Sequence, residues 1–299
     1  MTSASIWKPE RSGDGMEVLA RGKLNLSLDV LGCREDGYHD LRMVMQSVEL
    51  ADVLTLTGGG EEGVRIHTDL RYLPNDERNL AAVAARRFWE ATGLTGKGLS
   101  IEIQKNIPVC AGMGGGSADA AAVLRALNEL SGLDLPAERL AEIGERVGSD
   151  VPYCVLGGTA LAEGKGEILT ALPALPDCAI VVCKPAFPIS TPELFGCIDC
   201  RKIRCRPDTD GLIAALGEGD LEGVARRMYN VFEDVLTDRR GNEIREIKGE
   251  LLSYGALGAV MSGTGPTVFG LFADEQAAAA AYAGLKERYA DTFLTRPAL

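Results

Sequence analysis

The chain has 299 residues, enough for roughly two domains, and its 46% hydrophobic and 25% charged residues exclude a disordered or fibrous protein. Lys and Arg number 31 against 43 Asp and Glu, a net charge of −12. Nucleic acid and anionic membrane are therefore not expected as partners, and an anionic ligand must be held locally.

No run approaches the ~18 apolar residues of a membrane span. The first fifteen residues carry Lys8, Glu10, Arg11 and Asp14 in place of a secretory leader, so a cytoplasmic protein is expected. The eight cysteines read as reduced, mostly buried thiols. Cys197, Cys200 and Cys205 could begin a zinc site, but no fourth Cys or His lies nearby.

Strands are predicted at Met16–Arg21, Leu24–Val30, Val44–Glu49, Val53–Thr57 and Val64–Thr68, from apolar and β-branched residues between turn signals. Asn79–Thr92 follows as a helix stopped by Gly93, and Leu99–Gln104 returns to strand. Ser117–Leu130 carries Ala120, Val123, Leu124, Leu127 and Leu130 as a core-facing stripe, and a helix opened by Pro136 closes at Gly148. Beyond a boundary near residue 165 the rhythm changes. Strand Ala179–Cys183 is followed by helices Pro192–Cys197, Leu212–Leu216, Leu221–Val231 and Glu243–Tyr254. Strands Leu257–Met261 and Thr267–Phe272, an Ala-rich helix Glu275–Tyr289 and a strand near Thr292–Thr295 complete the chain. That order suggests an antiparallel sheet covered by helices, and an α+β protein overall.

Two glycine clusters carry the chemistry. Pro108 to Asp119 places Gly112, Gly114, Gly115 and Gly116 directly before a periodic helix, where backbone N–H groups and the positive dipole end bind phosphate. A turn capped by Ser117 is the plainer alternative. The P-loop and dinucleotide patterns do not fit, since no Lys-Ser/Thr follows the glycines and Ser117 stands at the last Gly of G-x-G-x-x-G. Met261-Ser262-Gly263-Thr264-Gly265-Pro266-Thr267 joins two predicted strands and suits either a tight turn or a loop approaching a ligand.

Together these clusters resemble the GHMP kinases, whose ATP loop is similar to Pro108 to Asp119. Lys23-Leu-Asn25-Leu, Asp36-Gly-Tyr38-His39, Gly148-Ser-Asp150-Val-Pro152 and Thr191-Pro-Glu-Leu-Phe195 narrow the resemblance to one branch. That branch phosphorylates 4-diphosphocytidyl-2-C-methyl-D-erythritol at its 2-hydroxyl in the non-mevalonate isoprenoid pathway. The likeness runs from about Ala20 to Phe272.

The resemblance implies a two-domain fold. Residues 1–165 would form a ribosomal-protein-S5-like ATP domain, and residues 166–299 a ferredoxin-like antiparallel sheet with helices for the substrate. It also implies Asp150 as the base that takes the alcohol proton, with Lys23 beside it, ATP as phosphoryl donor, Mg²⁺ carried by ATP near Ser117, and a monomer or homodimer. The ATP loop comprises Pro108, Ala111, Gly112, Met113, Gly114, Gly115, Gly116 and Ser117. Lys105, before it, either assists the nucleotide or is exposed. His39 would read the cytosine edge, with Tyr38 and Phe195 flanking the ring, and Asn25, Thr191, Gly263 and Thr264 are further substrate candidates. Plainer roles stand beside these: Asp150 as a helix N-cap, Lys23 as a solvated strand-end lysine, Asn25 as a satisfied core amide.

Two departures from the family pattern stand out. Met45 replaces an aromatic and would offer the base a softer sulfur contact. Asp119, one turn into the helix, suits the dipole but opposes phosphate, so it should point away or meet Mg²⁺. The competing activities are another kinase of this fold, for mevalonate or homoserine, and a non-catalytic nucleotide sensor.

Overall fold

The computed structural model describes residues 15–59, 62–94, 98–199, 203, 205–236 and 238–298. The chain forms two compact units, one built from the chain up to Gly22, Ala51–Ile107 and Gly114–Leu156, the other from Lys23–Leu50, Pro108–Met113 and Gly157 onward. Four of the predicted strands are halves of two long ones, β1 (Met16–Cys33) and β2 (His39–Gly58), each of which passes from one unit into the other. The apparent break at Gly22-Lys23 is not a turn, because every residue from Gly22 to Val30 is buried and the strand runs through it without interruption.

In the first unit, Val53–Gly58 of β2 pairs antiparallel with β4 (Leu99–Gln104), which pairs parallel with β3 (Val64–Thr68). Between β3 and β4 lies α1 (Leu80–Thr92). Asn79, read from the sequence as its first residue, instead caps it by accepting the Ala81 N–H at 3.0 Å, and Gly93, the predicted stop, closes it in the left-handed conformation. Helix α2 (Gly115–Ser131) buries Ala120, Val123, Leu124 and Leu127. Helices α3 (Ala137–Glu145) and α4 (Val151–Leu156) complete the unit, and the absent side chain of Gly144 admits Val151.

In the second unit, Leu41–Gln46 of β2 pairs antiparallel with β5 (Thr159–Gly164), itself paired with β6 (Ile168–Ala171). The chain continues through β7 (Ala179–Lys184), α5 (Thr191–Asp199), α6 (Thr209–Glu218) and α7 (Leu221–Arg227). It then runs through β8 (Tyr229–Asn230), α8 (Phe232–Val235), α9 (Arg239–Ser253), β9 (Gly258–Met261), β10 (Val268–Phe272), α10 (Glu275–Lys286) and β11 (Asp291–Thr295). Strands β11, β7, β10 and β9 form the expected antiparallel sheet in that order.

The helix predicted to reach Val231 ends at Arg227 instead. Tyr229 and Asn230 pair parallel with Ser27 and Leu28 of β1, so sheet hydrogen bonds win over local helix propensity.

No helix among the described residues is long and apolar enough to cross a membrane. The expectation of mostly buried cysteines is corrected. Cys178 and Cys183 are buried, and burial pushes both thiols up to about 12, whereas Cys33, Cys110 and Cys205 are exposed. Cys200 lies outside the described residues, and among those described no His/Cys/Asp/Glu group could hold a metal.

Candidate active site

The two glycine clusters read separately from the sequence touch each other in the second unit. Gly112 has φ +71°, and a Cβ there would lie 2.2 Å from the Ser262 carbonyl oxygen. A Cβ on Gly263, at φ +56°, would come within 3.0 Å of the Gly112 carbonyl. Glycine at both places is thus a requirement of backbone approach as well as of dihedral angle.

Ser262 fastens the junction. Its Oγ donates to the Gly112 carbonyl at 3.0 Å and accepts the Asn25 N–H at 3.2 Å, while Lys23 N–H bonds the Met113 carbonyl at 3.0 Å. Sequence reasoning singled out Gly263 and Thr264 but passed over Ser262, since a serine in a glycine cluster carries no signal of its own. Thr264 and Thr191 share a hydroxyl–hydroxyl bond of 2.9 Å.

Lys23 and Asn25 share one strand face, and Lys23 Nζ donates to Asn25 Oδ1 at 2.8 Å. Lys23 is only 5% exposed, which rules out the solvated strand-end reading. Asn25 has no exposed surface, and its Nδ2 lies 3.2 Å from Met43 Sδ. Both ends of this amide are thus engaged within the protein, one of them on the Lys23 ammonium. Met45 is likewise wholly buried, which removes the expected sulfur contact with a base.

In the first unit, α2 begins with Gly114 at its N-cap in the left-handed conformation, with no side-chain capping bond. Ser117 sits inside the helix, so the Ser-capped turn is set aside. The opening N–H groups of such a helix have no intrahelical partners and point along the dipole, which is the equipment an anion needs. Ala111 and Met113, just before α2 in the chain, are buried. Asp150 is half-buried and immediately precedes α4, its carbonyl accepting the Cys154 N–H at 3.1 Å.

Lys105 is neither exposed nor free. Its Nζ lies 2.5 Å from Asp52 Oδ2 and 2.7 Å from Asp119 Oδ2, and the side chains of all three are buried. Asp52 Oδ1 also accepts the N–H groups of Asn106 and Ile107 at 2.6 and 2.7 Å, which fixes the chain where it enters the glycine-rich loop. Asp52 was not foreseen, since a single Asp between two strand halves reads as a turn. Asp119 turns inward to this ammonium, and its Oδ1 is buried without a hydrogen-bond partner.

Burial pushes the Asp119 carboxyl up to about 7, with Lys105 opposing and Asp52 adding to the shift. Burial works against the Lys105 charge too, but the two carboxylates outweigh it and hold that ammonium above its ordinary range. The unfolded Asp119 ionises near ~3.9, so the folded state holds the extra proton between there and about 7. Its contribution to stability falls as pH rises through that window and levels off above it. Asp119→Asn cannot titrate, and its melting temperature relative to wild type is expected to rise from pH 5 to about pH 7 and to level off above it. A difference independent of pH would show Asp119 already ionised throughout.

The predicted base-recognition residues also gather in the second unit. His39 stacks on Phe195 with centroids 4.6 Å apart, and Phe195 meets the edge of Phe232 at 4.9 Å. Tyr38 is 61% exposed, with Lys165 Nζ 5.1 Å from its ring centroid. Phe232 went unnoticed in the sequence because an apolar residue there reads as ordinary core.

The family model described as GHMP kinases N terminal domain matches residues 79–158, and that described as GHMP kinases C terminal matches residues 212–291. A protein of Alkaliphilus metalliredigens named 4-diphosphocytidyl-2-C-methyl-D-erythritol kinase is 44% identical over 281 residues, 94% of this chain and 96% of that one. The chain belongs to the GHMP kinases.

A crystal structure titled 4-(cytidine 5'-diphospho)-2C-methyl-D-erythritol kinase superposes on this GHMP kinase with a TM-score of 0.78 and 33% identity, covering 95% of this chain and 100% of that one. Homoserine kinase from Cytophaga hutchinsonii shares the fold, with a TM-score of 0.73 and 22% identity over 97% of this chain and 96% of its own. The N-terminal match contains Lys105, the glycine-rich loop, Asp119 and Asp150, and the C-terminal match contains the second glycine cluster. Lys23, Asn25, Tyr38 and His39 of this GHMP kinase precede both.

Proposed function

We propose that this GHMP kinase transfers the γ-phosphoryl group of ATP to the 2-hydroxyl of 4-diphosphocytidyl-2-C-methyl-D-erythritol, giving ADP and the 2-phosphate. The observation that carries the reading is 44% identity to a kinase named for that substrate, across 94% of this chain. The homoserine kinase likeness speaks for fold alone.

Phosphoryl transfer is largely dissociative, so the protein's work is to align the acceptor and neutralise charge on the moving group. In this reading the N–H groups of Gly114, Gly115, Gly116 and Ser117 take the phosphates. Pro108, Ala111, Gly112 and Met113 shape the approach, and Lys105 holds the loop through its carboxylate partners. Asp150 takes the proton of the tertiary alcohol, and Lys23, oriented by Asn25, lends positive charge. His39 supplies hydrogen bonding and Phe195 a flat face for cytosine, with Tyr38, Thr191, Gly263 and Thr264 completing the substrate contacts.

Mg²⁺ would arrive with ATP. The uncapped start of α2 and the half-buried Ser117 hydroxyl suit an ion that keeps several waters and takes few protein ligands beside phosphate oxygens. The two matched stretches fall on either side of residue 165. Lys23–Leu50, which carries Tyr38 and His39, nevertheless belongs to the same compact unit as the chain from Gly157 onward, so an ATP half, 1–165, and a substrate half, 166–299, divide the motifs rather than the fold.

A coupled ADP-release assay tests the function. Turnover is expected with the cytidine substrate and none with mevalonate or homoserine. Turnover confined to the latter pair would overturn the assignment.

A further inference from the structure

Asn230, in β8, is 1% exposed, and every polar atom of its amide is engaged. Nδ2 donates to the carbonyls of Met261 and Gly263, both at 2.7 Å, and Oδ1 accepts the Phe232 N–H at 3.0 Å. Three residues on, Glu233 Oε1 accepts the Met261 N–H at 2.9 Å, while Lys248 holds its other oxygen at 2.5 Å. The strand leading into the second glycine cluster is therefore gripped from one short stretch, residues 230–233. That same stretch presents Phe232 to Phe195, whose ring carries His39 on its face. One buried amide thus joins the loop that locks onto Gly112 to the aromatic stack.

We propose that Asn230 is a positioning residue that sets the Met261–Thr267 loop and the Phe195–His39 stack in register with each other. This rests on the reading above, in which both parts hold the cytidine substrate. The chemistry of the side chain is specific to the task. A neutral amide offers two donors and an acceptor from one planar group. Alanine would leave two buried carbonyls and one N–H unpaired, and Asp would turn a carboxylate toward two carbonyl oxygens.

The test is amide hydrogen exchange on the free protein, which needs no substrate, together with steady-state kinetics. In Asn230→Asp, and in the milder Asn230→Ser should the first fail to fold, exchange is expected to quicken in both residues 261–267 and 191–198. Strand β7 should be unchanged. Phe232→Leu keeps the hydrogen bonds of Asn230 and is expected to quicken 191–198 only.

In the Asn230 variants KM for the cytidine substrate is expected to rise about tenfold, the scale of one lost buried hydrogen bond, with a smaller fall in kcat. Faster exchange confined to 261–267, or spread evenly into β7, would overturn the proposal, as would an unchanged KM in a folded variant. Failure of the wild type to use the cytidine substrate would sink the functional reading instead, and the exchange data would still decide the role of Asn230.

Discussion

Asp150→Asn is expected to lower kcat by roughly 10²–10⁴-fold while KM for ATP stays within about twofold. A tertiary alcohol keeps its proton at neutral pH, and an amide of the same shape cannot accept it. The substitution is chosen because it separates the two roles open to this residue. Asp150 stands where an N-cap would, with its carbonyl opening α4, and Asn caps a helix about as well as Asp. A residue that only caps would therefore leave kcat and the melting temperature unchanged. Steady-state kinetics with ATP varied at saturating acceptor, alongside thermal unfolding, provide the check, and an unchanged kcat removes Asp150 from the base role.

Gly112→Ala is expected to reduce kcat/KM for ATP by about 100-fold, the penalty for displacing a binding element by an ångström or so. It should also lower the melting temperature. The left-handed backbone costs a non-glycine residue ~1–2 kcal/mol. The added carbon would meet the Ser262 carbonyl oxygen at 2.2 Å and the Gly265 nitrogen at 3.1 Å. Both are backbone atoms, so no flexible side chain can yield, and overpacking of this kind typically adds ~1–3 kcal/mol. Gly116 provides the contrast. It lies inside α2, where alanine favours the helix, and its nearest neighbour is the Leu80 Cδ1 atom at 3.3 Å, which can turn aside. Gly116→Ala should melt at or near the wild-type temperature. Near-identical unfolding of the two variants would show that Gly112 is not held by the Ser262 backbone.

The sequence carried the elements whose signals are local. Asn79 and Gly93 bracket α1, the apolar stripe of α2 faces inward, and the four strands of the antiparallel sheet lie where alternation and turn residues placed them. What escaped depends on partners distant in the chain. Whether Gly22 and Asp52 mark turns or strand interior is decided by burial on both sides, which no window of neighbouring residues reports. The helix extended to Val231 failed because Tyr229 and Asn230 find β1 far upstream.

At the site, the glycine clusters, Lys23 and His39 were legible through motif and resemblance. Asp52, Ser262, Asn230 and Phe232 were not, since each acts by bonding to backbone or to another site residue and its type alone is unremarkable. Lys105 was noticed, but its burial between two carboxylates required Asp52 to be seen beside Asp119.

The threading of β1 and β2 through both units bears on how the nascent chain matures. The stretches that complete the first unit have all been synthesised once Leu156 leaves the ribosome. The segment Lys23–Leu50 must then wait, its apolar faces and open edges awaiting β5 and, much later, Tyr229–Asn230. Until then it is the part of the polypeptide most exposed to chaperones and to mispairing with other chains. A scission near residue 165 would leave the leading fragment with that same segment stranded, so the two halves of the sequence are not two separable modules.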